Sequence, residues 1–467
     1  MSSEEAINLL RGWPSQSLLP VDLVREAANA ALSDPSIALP GLLYGPDEGY
    51  EPAREAVASW LTSFYRPSDP IGVDRICITG AASQNLAVML GVYTDPVYTR
   101  NIWIVSPAYM LAFRIFEDAG FSSKMRAIPE DEEGIDIDYL RREIQKSEDT
   151  AQEQGNHEPR FKPDRKRAKV YKHVIYCVPT FSNPSSRTMS LKRRQQLVRL
   201  AREYDALVTC DDVYDVLHWS ADTSLDPRVS SETMKTSQLP RLVDVDRELE
   251  DGAERKGADG FGNVHSNGTM SKILGPGLRM GWAEGTPKLV YGLSQAGCQR
   301  SGGAPSQLTS TYITRLLQEG KIQTHTQTVL CPAYAARYMT MMLAIKQHLH
   351  PLGFTAPQPD REVVGGYFIW LGLPSGLDDV QLAETCQKDE DLVIAPGKLF
   401  EVPGDDALSF SNSIRLCFAW EDEPKLRVGI ERIARVATKL LNAKEDGSGE
   451  YVVVHKDGGQ DMLQSFR

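Results

Sequence analysis

The sequence predicts an α/β fold: a mostly parallel, doubly wound sheet in a large domain, beside a smaller α+β domain built from the two chain ends. Three observations predict it. Between about residues 75 and 290, short apolar runs alternate with longer stretches of helical periodicity. Most of these runs stop at a polar or turn-forming group. Beyond about residue 320 the alternation gives way to one long helical stretch and a few short strands. A length of 467 residues also exceeds what one simple core holds, so more than one domain is expected.

Residues 1–54 are expected to form an N-terminal arm and part of the small domain. Residues 55–320 form the large one. Its strands are Ile76-Cys77-Ile78-Thr79, ending at a glycine, and Asn101-Ile102-Trp103-Ile104-Val105, ending at Ser106-Pro107. Val174-Ile175-Tyr176-Cys177-Val178 and Ala206-Leu207-Val208-Thr209-Cys210 follow, ending at Pro179-Thr180 and Asp211-Asp212. Runs apolar on both faces belong to strands covered by helices on both sides. Leu191 to Tyr204 is one such helix, with Leu197, Val198 and Leu200 to bury and basic residues on the other face. Strand–helix–strand alternation implies a parallel sheet, and such sheets bind ligands outside the carboxyl ends of their strands. Two segments break the pattern. Residues 144–168 are charged and poor in large apolar side chains, and residues 220–264, including Asp244 to Asp251, are polar and glycine-rich. Both read as surface insertions, and the second, just before the lysine discussed below, also reads as a lid. Residues 321–443 form the small C-terminal domain: a helix over Pro332 to His350, a strand over Gly365 to Leu371, short strands at Leu392 to Gly397 and Ile414 to Ala419, and an amphipathic helix from about Glu423 to Asn442. Residues 444–467 are a polar tail interrupted by Tyr451-Val452-Val453-Val454.

The net charge is −12, which argues against nucleic acid or an anionic membrane as the main partner. The seven cysteines show no metal-ligand spacing, so free thiols in a reducing compartment and no metal are expected. The start, Met1-Ser2-Ser3-Glu4-Glu5, lacks the basic and apolar regions of a secretory signal, and no apolar run approaches the ~18 residues of a membrane span. A cytoplasmic location and no membrane association follow as expectations.

The chemistry concentrates in Asn267-Gly268-Thr269-Met270-Ser271-Lys272-Ile273-Leu274-Gly275-Pro276-Gly277-Leu278-Arg279. Hydroxyls stand three and one residues before Lys272, and Arg279 follows beyond a Gly-Pro-Gly turn. That is equipment for holding one phosphate beside one amine. A desolvated amine forms a Schiff base with a carbonyl, and pyridoxal 5′-phosphate needs both a lysine and a phosphate cradle. Three other segments supply the rest of such a site, each with a plainer reading beside it. Asp211, in Asp211-Asp212-Val213-Tyr214, would face a pyridine nitrogen, or else cap a helix. Tyr214 would then reach the 3-oxygen of the ring. Asn183, in Pro179-Thr180-Phe181-Ser182-Asn183-Pro184, would donate to that oxygen or to a substrate carboxylate, or else mark a turn. Thr79-Gly80-Ala81-Ala82-Ser83-Gln84 would offer helix-terminal amides, Ser83 and Gln84 to a phosphate, or else form a tight capped loop. Tyr109 would stack on a ring or fill the core. Arg415 is a lone arginine in an apolar strand. It calls for a substrate carboxylate or a structural ion pair.

In this order the motifs resemble the fold-type I pyridoxal-phosphate-dependent aminotransferases of class I/II, from Tyr44 to about Ala419. The resemblance implies the following. Lys272 carries the Schiff base and moves the proton; Asp211 pairs with the pyridine nitrogen; Tyr214 and Asn183 contact the 3-oxygen. Tyr109 stacks on the ring. Ser83, Gln84, Thr269, Ser271 and Arg279 hold the phosphate, and Arg415 binds the substrate α-carboxylate. The segment Leu43-Tyr44-Gly45-Pro46-Asp47-Glu48-Gly49-Tyr50, with Arg54 after it, is similar to one whose tyrosine reaches the phosphate of a neighbouring subunit. A homodimer with shared active sites is thereby implied, with Trp13 on an arm near the substrate. The partners expected are an amino acid and a 2-oxo acid, exchanging an amino group. Departures exist: the family's Asn-Pro-Thr-Gly is here Asn183-Pro184-Ser185-Ser186, and the 220–264 segment is long. The alternative is a lyase, cyclase or decarboxylase on the same framework. A ligand-sensing regulator is disfavoured, because about 40 residues before Tyr44 leave no room for a DNA-binding module.

Overall fold

The computed structural model describes residues 5–222, 238–356 and 362–445. Its centre is an eight-stranded sheet in the order Ile76–Thr79, Gly281–Glu284, Val264–Thr269, Ala206–Asp211, His173–Cys177, Ile102–Ser106, Met125–Asp131, Gly134–Ile135. Gly281–Glu284 runs antiparallel to both its neighbours, and Gly134–Ile135 antiparallel to Met125–Asp131; the remaining neighbours are parallel. The four apolar runs read from the sequence are strands of this sheet, three of them interior and Ile76–Thr79 at its edge, all four buried along their length. Each is covered on both faces, which is why polar alternation is missing from them. A second sheet of three strands, Phe368–Gly372, Ser413–Cys417 and Ala395–Pro396, lies in the C-terminal part, and Ile7–Asn8 pairs with Leu392–Val393. This pairing joins the N-terminal strand to the C-terminal part of the chain.

Helices form where the apolar stripe and the caps agree. Leu191–Glu203 starts at Ser190, whose hydroxyl accepts from the Arg193 amide, and buries Leu197, Val198, Leu200 and Ala201. Glu423–Glu445 packs against Cys331–Ala344. The helical run Lys321–Leu352 is long and apolar enough to cross a membrane by length and composition, a run the sequence reading did not credit. Half of that window is buried in the fold, and Tyr334, Ala335, Tyr338 and Met341 line its inner side.

Each supposed insertion differs from expectation in part, while residues 154–168 are irregular and largely exposed, as a surface segment is. Residues 144–153 are the second half of the helix Ile137–Glu153, with Ile144 and Ala151 buried; their charges mark its outer face. Within 220–264, residues 223–237 lie outside the described residues, but Leu242–Glu248 is a buried helix rather than surface decoration. Asp244 and Asp246 are buried because they are paired. Arg241, 1% exposed, donates to Asp244 at 3.0 Å and to Glu284 at 2.7 Å, and its guanidinium lies 4.0 Å from the Tyr65 ring centroid. Asp246 accepts from Arg202 at 3.1 Å and from the Asn263 amide at 2.8 Å. The tail with Tyr451 to Val454 also lies outside the described residues.

Removing one partner of such a network strands the others. Arg241→Met is expected to lower unfolding stability by about 3–5 kcal/mol, read from urea midpoints. The triple variant Arg241→Met, Asp244→Leu, Glu284→Leu is expected to recover most of that loss. A single variant within about 1 kcal/mol of wild type would show that the pairs carry no structural weight.

Candidate active site

A cavity of about 470 Å³ opens at the carboxyl ends of the central strands, lined among others by Gly12, Trp13, Ser83, Tyr109, Asn183, Asp211, Tyr214, Lys272, Arg279 and Arg415. Most of the sequence-predicted residues therefore converge, from segments up to 400 positions apart.

One wall is built for an anion. The strand Val264–Thr269 hands over to a tight turn in which Ile273 and Leu274 donate to the Met270 carbonyl at 3.1 and 2.9 Å. This turn brings Thr269 and Ser271 together, their hydroxyls 2.9 Å apart, and presents Lys272 to the cavity. Arg279 adopts left-handed backbone (φ 50°) and donates to the Gly80 carbonyl at 2.9 Å. That contact sets it against the start of the helix Ala82–Tyr93. Ala81 caps this helix without a side-chain acceptor, so the first-turn amides carry no capping partner beside Ser83. The turn can sit so close to the sheet because Gly281 has no Cβ; one there would lie 2.9 Å from the Ala81 Cα. Gln84 is placed differently from the others. Its side-chain oxygen accepts from the Gly80 amide at 2.9 Å, closing the turn, and it is not part of the cavity lining.

Asp211 ends its strand with its carboxylate held on both oxygens. Tyr176 donates to one at 2.6 Å and Asn267 to the other at 2.7 Å. Burial pushes this carboxyl up, while those two hydrogen bonds and the charge of Lys272 pull it back. A cation brought into the cavity would complete it.

Lys272 donates to the Gly12 carbonyl at 2.9 Å, and its Nζ lies 5.6 Å and 5.2 Å from the ring centroids of Tyr214 and Tyr367. Burial lowers its pKa to about 8, Arg415 adds to that, and Cys417 and Asp211 oppose it. At neutral pH the amine thus holds a far larger neutral fraction than an ordinary lysine, and that fraction is the form a nucleophile or base requires.

Arg415 is 1% exposed and its cation has no carboxylate beside it. It donates to Asn183 Oδ1 at 2.9 Å and to the Leu10 carbonyl, and it stacks 4.1 Å from the Phe368 centroid and 4.8 Å from that of Phe400. Its Nε has no partner, and burial lowers its pKa to about 10. Of the two readings left open by the sequence, the structural ion pair is not formed among the described residues. An anion entering the cavity would meet a desolvated fork.

Trp13 lines the cavity and meets Trp420 edge-on at 5.8 Å, with the Arg11 guanidinium between them at 4.9 and 5.0 Å. Tyr109 lines the cavity as well, and burial and nearby Asp211 push its hydroxyl up to about 12. Tyr44 is 88% exposed and lies outside this cavity. Sequence reasoning missed Tyr176, Asn267, Asn85, Phe368, Tyr367 and the carbonyl of Gly12. For Asn267 a signal existed: His265-Ser266-Asn267 is a polar run in a central strand.

The residues fit pyridoxal phosphate on their own chemistry. An uncapped helix start with Ser83, Thr269, Ser271 and Arg279 suits the phosphate. A depressed lysine suits the aldehyde, a held carboxylate suits the ring nitrogen, and an unpaired buried arginine suits a substrate carboxylate.

Known proteins agree with this geometry. Residues 5–433 match the family Aminotransferase class I and II. The chain is 34% identical to an uncharacterized protein of Saccharomyces cerevisiae, over 92% of this chain and 96% of that one. It is 27% identical to an aromatic-amino-acid aminotransferase of Thermococcus litoralis, over 93% and 88%. Among solved structures it is similar to the kynurenine aminotransferase of Pyrococcus horikoshii, with a TM-score of 0.71, 27% identity and coverage of 94% and 92%. The chain belongs to the class I and II aminotransferases, and it is a pyridoxal-phosphate-dependent transaminase.

Proposed function

We propose that this transaminase takes an aromatic or large apolar α-amino acid as donor, gripping its carboxylate with Arg415. The observation that carries this reading is the Arg415 guanidinium, buried without a carboxylate and open to the cavity. When bound, pyridoxal phosphate supplies an aldehyde for amino-group exchange and a ring that withdraws electrons from the substrate α-carbon. Ser83, Thr269, Ser271, Arg279 and the amides of the helix start hold the phosphate. Asp211 keeps the proton on the ring nitrogen. Tyr214 and Asn183 would contact the 3-oxygen, and Tyr109 would stack on the ring. Lys272, whose pKa of about 8 makes its neutral form accessible, would take the α-proton and return it on the cofactor side. Gln84 acts by closing the turn.

The donor class follows from the lining. Its cations are Lys272, Arg279 and Arg415, all given roles above, so no spare arginine faces a second carboxylate. Trp13, Phe368, Leu86, Ile115 and Val213 offer apolar surface instead. Relatives named for aromatic amino acids and kynurenine support the same class.

We also infer a homodimer. Tyr44 stands exposed beside Leu39, Leu42 and Leu43, each more than 60% exposed, an apolar patch suited to a second copy with Tyr44 reaching its phosphate site. The division into 1–54, 55–320 and 321–443 belongs to the same reading, as does a cytoplasmic location.

Arg415→Met is expected to raise KM for an aromatic donor by about two orders of magnitude, with a smaller fall in kcat. An unchanged KM would remove Arg415 from carboxylate binding. Aromatic donors are expected to exceed dicarboxylic ones in kcat/KM by at least about tenfold, measured on a panel of amino acids; equal values would sink the donor assignment. The rate at which the cofactor-free chain captures pyridoxal phosphate is expected to rise with pH and level off above about 8, because only neutral Lys272 reacts. A rate still climbing near pH ~10 would mean that Lys272 titrates as an ordinary lysine.

A further inference from the structure

Asn267 and Asn85 are both 0% exposed, so both side-chain amides are fully withdrawn from water. A buried amide is costly unless each polar group is satisfied, so a pair of them needs a reason. Their contacts give one. Asn267 Nδ2 donates to Asp211 Oδ1 at 2.7 Å and to the Ala82 carbonyl at 3.0 Å, while its Oδ1 accepts from Asn85 Nδ2 at 2.7 Å. Flipping the Asn267 amide would set its oxygen against two acceptors, Asp211 and the Ala82 carbonyl, so these two dictate which end faces Asp211, and Asn85, whose own Oδ1 has no partner, holds the remaining oxygen. Asp211 and Asn267 are register partners on adjacent parallel strands, and the Asp212 amide donates to the Asn267 carbonyl at 3.2 Å. The second Asp211 oxygen is held by Tyr176 at 2.6 Å, so the carboxylate cannot rotate. Ala82 opens the helix whose first turn lines the anion wall.

We propose that Asn267 is a positioning residue for the cofactor: its amide ties the carboxylate facing the ring nitrogen to the turn that receives the phosphate, with Asn85 holding its oxygen. The two ends of the cofactor are thereby set at one spacing by a single side chain. This rests on the reading of Asp211 as partner of the ring nitrogen.

The test compares pyridoxal phosphate with its 1-deaza analogue, in which C–H replaces the ring nitrogen and the aldehyde and phosphate remain. Dissociation constants for both are measured on the full-length chain freed of cofactor, for wild type, Asn267→Leu and Asn85→Ser. Wild type is expected to prefer pyridoxal phosphate, and Asn267→Leu to shrink that preference at least about tenfold, the scale of a hydrogen bond to a charged group. Asn85→Ser keeps Asn267 and is expected to shrink it less, in the same direction. It also serves if Asn267→Leu does not fold. If both cofactors lose affinity by one factor and the preference stays, Asn267 only fills space and the inference is overturned. A wild type that does not distinguish the two cofactors overturns the Asp211 reading and this inference together. A wild type that binds neither shows that the cofactor assignment has failed first.

Discussion

A guanidinium buried to 1% exposure with no carboxylate beside it is the constraint around which this site is arranged. Desolvating a cation is expensive, and the chain offsets the cost with partial charges and ring faces rather than with an anion. Those contacts come from distant segments: Leu10 from the N-terminal arm, Asn183 from the turn after the strand His173–Cys177, Phe368 and Phe400 from the C-terminal part. Holding Arg415 in place therefore requires the arm, the large sheet and the small sheet to meet at one point. The same unpaired charge helps depress Lys272, so carboxylate recognition and amine reactivity share one electrostatic cause. The cavity holds Lys272, Arg279 and Arg415 against a single lining carboxylate, Asp211. In a chain of net charge −12 that local surplus of positive charge is placed by the fold, and it matches a ligand set of phosphate and carboxylate.

The contrast with Arg241 shows that burial of charge is handled in two ways. Beneath the sheet, Arg241 meets Asp244 and Glu284 and lies on Tyr65, so nothing is left over for a ligand. At the carboxyl ends of the strands, Arg415 and Lys272 are left incomplete. Asp212 and Asp215 mark the border between the two. They flank the cavity residues Val213 and Tyr214, yet Asp212 accepts from Ser266 and Asp215 from Tyr65, within the paired layer. A three-residue step along one loop thus passes from structural to chemical use of buried polar groups.

The fold was legible where residue type and position coincide. Four apolar runs ending in Gly80, Ser106, Pro179 and Asp211 could only be buried strands, and the groups just past them form the site. Lys272, Asp211, Asn183 and Arg415 were legible because their chemistry is unusual for their surroundings. Gly281–Glu284 escaped notice because a four-residue antiparallel strand carries too little pattern. Leu242–Glu248 was misread because acids look solvated until a partner such as Arg241 is placed beside them, and no spacing in the sequence announces Glu284, 43 positions on. The support of Asp211 was hidden for the same reason: Tyr176 reads as one more apolar strand residue, and its hydroxyl matters only once Asp211 lies 2.6 Å away.

Ser186 shows how a departure from the family pattern can be absorbed. It stands where the pattern carries glycine, and it keeps the left-handed backbone that glycine permits, at φ 62°. For a residue with a Cβ that conformation costs about 1–2 kcal/mol. The serine returns a contact glycine lacks: its hydroxyl donates to the Phe368 carbonyl at 2.6 Å. Phe368 is the ring on which Arg415 lies, and Arg415 donates to Asn183, three residues before Ser186. The contacts close a circuit from Asn183 through Arg415 and Phe368 back to Ser186. Strain at one backbone position is therefore offset by a bond that fixes the carboxylate-binding arginine relative to the turn bearing Asn183, and the substitution reinforces the site where it would otherwise have weakened it.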